Sequence, residues 1–257
     1  MINTEAVGCD LLVVSPHTDD AEIGLGGTLH RLASRGRRVW VADLTRGELA
    51  TNATPDERWA EAAVASEILG LAGRVQLELP DGFIAPDDRD QTGRVVALLR
   101  RLRPRWVVTA PDPVRHPDHV ATPLLVRRAV FMARLQGWQP ELGAHHLWAG
   151  GAALPAPAAR WEVEARFAVC PDDSAPTLLF DISEHWEAKT RALAAYASQF
   201  GRDAGQTPTT INDPAFLARI ERRARTWGRR AGVPLAEALC GGGATVLDDL
   251  PDARWGA

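Results

Sequence analysis

The alternation of short apolar runs with helical patterns is the feature that most limits how this chain can fold. Four runs in its first half are apolar almost throughout, at residues 11–15, 39–44, 75–79 and 106–110. Helical patterns follow them in turn, at residues 21–34, 55–69, 91–102 and 117–135. Strands that are apolar on both faces are typical of a parallel sheet covered by crossover helices. The pattern therefore predicts an α/β fold with a mostly parallel sheet.

The second half of the chain is less regular. After about residue 137 we expect strands near residues 162–169 and 177–182, followed by helices at 184–198 and 213–231. The Gly-rich stretch at 241–243 has no pattern that predicts an element. A chain of 257 residues with 46% hydrophobic content can bury one large core. We therefore expect a single domain over residues 1–257, with its core at about 10–232.

Composition limits the kinds of partner. The net charge of -4 comes from interspersed acids and bases, so no basic surface indicates nucleic acid or an anionic membrane. Three cysteines, Cys9, Cys170 and Cys240, lie far apart without a CxxC motif, which argues against disulfides and thiolate zinc sites. No stretch approaches the roughly 18 apolar residues of a membrane helix. We expect a soluble, cytoplasmic protein whose partner is a small molecule.

Two clusters of histidine and aspartate follow two of the predicted strands. The run Pro16-His17-Thr18-Asp19-Asp20 follows the first strand, and Arg115-His116-Pro117-Asp118-His119 follows the fourth. Open α/β sheets build their ligand sites at the carboxyl ends of strands. We expect the two clusters to meet there and to form one site.

The residue types in these clusters predict a catalytic metal site. Imidazole and carboxylate groups are good zinc ligands, and a catalytic zinc usually keeps three protein ligands and one position for water. Two histidines and one aspartate would satisfy that set. A further carboxylate and a further histidine remain to transfer protons. Taken singly, each cluster is equally compatible with a polar loop or a helix cap; their matched positions favour a site.

Other residues carry weaker signals. The segment Gly24-Leu25-Gly26-Gly27 is open to a dinucleotide-binding interpretation, but its glycines follow two carboxylates that would repel a phosphate. Close packing of a helix against the sheet is the favoured interpretation. The remaining histidines do not belong to a His/Asp cluster of this kind, and for them we expect surface or core positions: His30, His145, His146 and His185.

The two clusters resemble the (P/A)HPDD and HPDH motifs of the zinc-dependent N-acetylglucosamine deacetylases typified by the LmbE and PIG-L proteins. Thr18 stands where that family usually has proline, which leaves the chemical groups intact. The resemblance implies a Rossmann-like three-layer sandwich. It extends over residues 10–232 toward the branch that deacetylates N-acetylglucosaminyl L-malate in bacillithiol biosynthesis. The segments that resemble this branch are residues 43–49, 67–71, 79–81, 115–119 and 198–216.

The resemblance also implies roles for the motif residues. It implies one Zn²⁺ per chain, held by His17, Asp20 and His119. Asp19 would be the general base acting on the zinc water. His116 would stabilise the oxyanion or protonate the departing amine.

Further roles concern residues around these. Asp118 would hold an imidazole in position from outside the ligand set. Arg58 and Arg115 would contact the substrate, for which a guanidinium suits a malate carboxylate; an exposed helix face is an equal alternative for Arg58. Tyr196 would reach the sugar or the oxyanion, with ordinary packing as its alternative.

These observations lead to one expected function and its alternatives. We expect hydrolytic removal of the N-acetyl group from a small N-acetylglucosaminide, with L-malate as the attached group. An inositol conjugate, a chito-oligosaccharide or another acetamido sugar is the alternative substrate. A homo-oligomer, a hexamer by resemblance, is also implied. An alternative from a different functional class is that the chain is a non-catalytic protein that binds a nucleotide or zinc.

Overall fold

The computed structural model describes residues 8–109, 116–149, 153–172, 174–201 and 205–242. Its first half alternates strands with helices, as the sequence predicts. The elements are β1 Cys9–Ser15, α1 Asp20–Ser34, β2 Val39–Thr45, α2 Pro55–Leu69, β3 Gly73–Leu79, α3 Arg89–Leu102, β4 Pro104–Thr109 and α4 Pro117–Met132. Each predicted element of this half is confirmed to within three residues at either end.

The second half departs more from prediction. Its elements are β5 His145–Trp148, β6 Ala165–Val169, β7 Leu178–Asp181, α5 Trp186–Ala194, α6 Ala197–Phe200, α7 Pro214–Ala231 and β8 Ala236–Gly241. The helix expected at 184–198 is instead a 3₁₀ turn, Ser183–His185, followed by α5 and α6. Strands β5 and β8 were not predicted, because both are short and neither has a strongly apolar pattern.

All eight described strands belong to one sheet, in the order β5-β3-β2-β1-β4-β6-β8-β7. The five strands from β3 to β6 pair in parallel, whereas β5, β8 and β7 add antiparallel pairs at the two sides. The mostly parallel α/β sheet is therefore confirmed. Strand β1 lies between β2 and β4, so the connections leave it in opposite directions. The carboxyl ends of β1 and β4 are consequently neighbours at the switch point where such sheets bind ligands.

Helices cover both faces of this sheet. Along β1, Leu12 and Val14 join the core formed with α3 and α4. The alternate residues Leu11 and Val13 join a second core with α1, α2 and α5. Successive side chains of a strand point to opposite faces, so one buried strand supplies both cores. The three-layer arrangement is thereby confirmed.

Local signals at α2 behave as the sequence indicates. Thr54 accepts a hydrogen bond from the Glu57 amide, Glu57 bonds back to Thr54, and Pro55 takes the first helical position. Gly70 ends the helix with a left-handed φ of 67°, a conformation that glycine adopts without steric cost. These terminal residues explain why both ends of α2 are predictable from sequence.

The expectation that the cysteines do not form disulfides was wrong. Cys170 and Cys240 are joined in a disulfide, although 70 residues separate them in sequence. Strand β8 pairs with β6, so it brings Cys240 beside the end of β6. Because β8 was not predicted, the sequence offered no reason to pair these residues. Among the helices of the described residues, none combines the length and apolar character that crossing a membrane requires.

The glycines of α1 confirm the packing interpretation. A Cβ at Gly24 would lie 3.1 Å from Val169, and one at Gly26 would lie 3.0 Å from Lys189. At Gly27 it would lie only 2.7 Å from the Ile182 Cβ atom. The absence of side chains therefore lets α1 approach the elements beside it closely.

We predict that Gly27→Ala destabilises the protein by about 1–3 kcal/mol, because its methyl group cannot fit against Ile182 without displacing it. Urea unfolding followed by circular dichroism measures this change. Gly137→Ala is the matched control, since a Cβ there meets nothing within 4 Å. Equal stability of the two variants would contradict the close packing of α1.

Candidate metal centre

The neighbouring ends of β1 and β4 position the two motifs. The strands run parallel with Val14 opposite Thr109, so the chain leaves both at the same edge of the sheet. His17 lies in the loop after β1, Asp20 begins α1, and His119 lies in the first turn of α4. Arg115 lies outside the described residues.

Three of the predicted ligands converge. The Asp20 Oδ2 atom lies 3.3 Å from His17 Nδ1 and 3.4 Å from His119 Nε2. A tetrahedral zinc with bonds of about 2.0–2.1 Å separates its ligand atoms by roughly 3.3–3.5 Å. The separations from Asp20 to the two imidazoles and the types of donor therefore fit a single metal ion.

The other nitrogen of His17 faces two more carboxylates. His17 Nε2 lies 3.1 Å from Asp81 Oδ1 and 3.4 Å from Asp118 Oδ2. Together with His116, these residues form a second group that could hold a metal ion. The two groups share His17, so their other contacts decide which is the better metal site.

The carboxylates of both groups accept hydrogen bonds from backbone amides, but those of the second group accept more of them, since Asp20 Oδ2 accepts one from His17 N at 3.1 Å. Asp118 accepts hydrogen bonds from Gly82 N at 2.7 Å and from Ile84 N at 3.1 Å. Asp81 accepts one from Leu49 N at 2.9 Å. Ligand histidines commonly donate their second N–H to a carboxylate, which orients the ring. We therefore interpret Asp81 and Asp118 as a clamp on His17, and the group with Asp20 as the ligand set.

The electrostatics of the cluster favour a positive charge at its centre. Burial on its own lowers the pKa of His17. Hydrogen bonds to Asp118, Asp20 and Asp81 outweigh burial and raise this pKa to about 12. Although burial opposes it, contact with His17 lowers the pKa of Asp81 to about 2 and also lowers that of Asp118. A divalent cation would supply the positive charge that these carboxylates stabilise.

Asp19 has an unusual conformation and an unpaired oxygen. Its φ of 93° lies in the left-handed region, which is strained for a residue with a side chain. The carboxyl group is buried, and its Oδ2 atom has no hydrogen-bond partner among the described residues. Burial raises the pKa of Asp19 to about 8, although the charge of Arg58 opposes this. A buried, unpaired carboxylate oxygen next to a ligand residue is well placed to accept a proton.

Arg58 supports the loop that carries Asp19. The side chain is only 5% exposed, so the exposed-face alternative is wrong. Its guanidinium donates to the Thr18 carbonyl at 2.9 Å and lies 3.8 Å from Asp19 Oδ1. It also lies against Gly47, where a Cβ would come within 2.0 Å of the Arg58 Nη1 atom. These contacts join the loop after β1 to the segment after β2.

His116 and Tyr196 occupy contrasting positions. His116 is exposed at the start of α4; its Nδ1 accepts a hydrogen bond from Asp118 N at 3.3 Å, and its ring packs edge-on against His17. Burial and the nearby His17 lower the pKa of His116. Tyr196 is fully buried in the core shared with α1 and α2, and its hydroxyl has no hydrogen-bond partner among the described residues. Its position agrees with the packing alternative.

A buried arginine network that sequence reasoning missed lies beside these residues. Arg74 donates two hydrogen bonds to Asp43, at 2.6 and 2.8 Å, and one to Glu22 at 2.6 Å. Glu22 belongs to the first turn of α1, whereas the other two residues lie on β2 and β3. The available signal was Asp43, the single charged residue of β2; β3 contains both Arg74 and Glu78, so Arg74 does not stand out. Asp81 was also missed, since it followed β3 without a neighbouring histidine.

Comparison with known proteins agrees with this arrangement. The family model described as PIG-L, GlcNAc-PI de-N-acetylase, matches residues 12–130, which include both motifs. Diacetylchitobiose deacetylase from Thermococcus kodakarensis is 31% identical over 206 residues, covering 75% of this chain and 71% of the relative. The chain belongs to the PIG-L family of deacetylases.

Further relatives place this PIG-L family member among hydrolases. The 1D-myo-inositol 2-acetamido-2-deoxy-alpha-D-glucopyranoside deacetylase 2 of Saccharopolyspora erythraea is 29% identical over 253 residues, covering 80% of this chain and 89% of the relative. The crystal structure of a conserved protein from Thermus thermophilus superposes with a TM-score of 0.76 at 36% identity, covering 96% of this chain and 99% of that protein. The chain is therefore an enzyme, and the non-catalytic alternative is set aside. The matches identify the family rather than its malate-specific branch.

We predict that Asp81→Asn weakens Zn²⁺ binding by about 10–100-fold, because the His17 ring loses a charged partner that orients it. Competition with a chromogenic chelator measures this affinity. Asp87→Asn is the control, since Asp87 is exposed and pairs with Arg128 on the surface. Unchanged affinity in Asp81→Asn would show that the clamp does not support the metal.

Proposed function

We propose that this chain is a zinc-dependent enzyme that hydrolyses the acetamide of a small N-acetylglucosaminide. The observation that carries the proposal is the convergence of His17, Asp20 and His119 beside a buried Asp19 whose Oδ2 atom has no partner among the described residues. Membership of a deacetylase family supports amide hydrolysis as the reaction. Nitrogen and carboxylate donors in this number are typical of catalytic zinc.

The ligand residues and Asp19 have different tasks in the proposed reaction: the ligands hold the metal, and Asp19 accepts a proton. A bound zinc supplies Lewis-acid polarisation of the acetamide carbonyl and activation of a water molecule. Asp19 accepts the proton of the attacking water at its unpaired Oδ2 atom. Arg58 and the left-handed backbone hold this carboxylate against the loop. Its placement is therefore determined before substrate binds, as general-base catalysis requires.

His116 is suited to the second proton transfer. Its Nδ1 atom accepts a hydrogen bond from a backbone amide, so the proton of the neutral ring resides on Nε2. This N–H is able to stabilise the oxyanion and then to protonate the departing amine. Asp118 contributes in two ways, since its amide holds His116 and its carboxylate faces His17.

The group attached to the sugar is part of the proposal. Sequence resemblance supports L-malate, whereas two relatives are named for diacetylchitobiose and an inositol glucosaminide. Arg58 is occupied by carbonyl groups, so Arg115 is the better candidate for a malate carboxylate. We propose a homo-oligomer on the same resemblance.

We predict that Asp19→Asn retains zinc but lowers kcat by about 10²–10⁴-fold, because the amide cannot accept the proton. Asp20→Asn should instead lose zinc affinity and activity together, since it removes a charged ligand. Metal analysis of the purified variants, combined with an acetate-release assay, measures both. The two substitutions are neighbouring and nearly isosteric, so each serves as the control for the other: a general disturbance of the loop would affect zinc content and activity alike in both variants.

Two results would contradict these roles. Full activity in Asp19→Asn would exclude it as the general base. Retained stoichiometric zinc in Asp20→Asn would exclude it as an essential ligand and would direct attention to the group containing Asp81.

We predict that turnover differs among three conjugates of N-acetylglucosamine, carrying L-malate, inositol or a second N-acetylglucosamine. Comparison of kcat/KM for the three at equal zinc loading identifies the attached group. A preference for malate should be weakened by Arg115→Met, since binding a carboxylate needs the guanidinium. An equal or reversed preference would refute the malate assignment while leaving the deacetylase proposal intact.

A further inference from the structure

Two apolar side chains stand exposed on turns that are joined to the metal centre. Phe83 is 71% exposed and Leu49 is 66% exposed, so neither contributes to the core. Single exposed apolar residues are ordinary on protein surfaces. Their attachment to the carboxylates around His17 distinguishes these two.

Hydrogen bonds from both sides hold Phe83 in position. It closes the turn that begins at Pro80, with Phe83 N donating to the Pro80 carbonyl at 3.1 Å. The amides on either side of it, Gly82 N and Ile84 N, both donate to Asp118. These contacts place the Phe83 Cα atom within roughly 11 Å of His17 Nε2. The exposed ring is therefore held on a fixed backbone beside the site.

Leu49 is held in the same way from the other side. Its amide donates to Asp81 Oδ2 at 2.9 Å, and Glu48 accepts a hydrogen bond from Asp81 N at 2.9 Å. The Leu49 Cδ1 atom lies 3.2 Å from where a Cβ of Gly82 would be. The side chain of Leu49 thus packs over the turn that carries Phe83. We call Leu49 and Phe83 the apolar lip.

We propose that the apolar lip is the subsite for a saccharide ring of the substrate, with Phe83 stacking on its C–H face. This rests on the proposed function and specifies how its substrate is held. A pyranose ring has an apolar C–H face and a polar rim of hydroxyl groups. Ligand sites commonly pair apolar or aromatic walls with a few fixed polar groups. The exposed phenyl ring of Phe83, on a turn whose backbone is bonded to Asp118, offers such an apolar wall.

The experiment compares Phe83→Ala, Phe83→Trp and Leu49→Ala with the wild type on the conjugate of N-acetylglucosamine, carrying L-malate, inositol or a second N-acetylglucosamine, that the wild type turns over fastest. Loss of the ring should raise KM about tenfold or more with kcat within twofold, because ring burial is lost but the catalytic groups remain. Tryptophan should retain wild-type KM, and Leu49→Ala should show a smaller increase. Phe131→Ala is the matched control, since Phe131 is 60% exposed on α4, and it should leave KM unchanged.

Equilibrium binding of that conjugate, measured by calorimetry in an Asp19→Asn background that does not hydrolyse it, separates this inference from the proposed function. Sugar binding and acetate release by the wild type, with unchanged affinity in Phe83→Ala, would overturn the apolar lip alone. Absence of acetate release by the zinc-loaded wild type from the malate, inositol and chitobiose conjugates alike would overturn the proposed function and the lip with it. A fall in kcat at constant KM would also overturn the lip. Light scattering gives a further test. If Phe83→Ala formed a smaller assembly than the wild type while its KM stayed unchanged, the lip would be an interface between copies of the chain and the inference would be overturned.

Discussion

The contact between His17 and three carboxylates is the interaction on which the site depends. Asp20 faces one ring nitrogen, while Asp81 and Asp118 face the other. These groups come from the start of α1, the turn after β3 and the start of α4. A single imidazole therefore joins segments that are separated by up to a hundred residues. Carboxylates on the far nitrogen orient the ring and increase its basicity toward a metal.

The buried network around Arg74 supports the same region from within the fold. Arg74 is fully buried with Glu22 and Asp43, and its one positive charge is shared between the two carboxylates. Removing Arg74 would leave two buried carboxylates without a counter-charge, at a cost of about 3–5 kcal/mol. Glu22 lies one turn beyond Asp19 on the chain. The network therefore connects the beginning of α1 to β2 and β3.

The apolar lip and the clamp on His17 share their supporting residues. Asp81 and Asp118 each face the imidazole with one oxygen and accept amide hydrogen bonds from the turns that present Leu49 and Phe83. The turns that carry Leu49 and Phe83 are therefore connected to His17 through the same two carboxylates. The proposed metal site and the proposed sugar subsite depend on the same side chains, which satisfy both sets of partners.

The sequence by itself determined the parallel strands and the position of the two motifs after them, because these follow from local patterns of apolar and polar residues. It did not determine β5 and β8, the pairing of Cys170 with Cys240, or the part played by Asp81. Each of these depends on contacts between segments far apart in the chain, which no local pattern encodes. Only the tertiary structure showed that Arg58 is buried, that Tyr196 lies in the core, and that three carboxylates surround one imidazole. The physical reason is that packing and pairing across the sheet decide which polar groups lose water and which partners they then need.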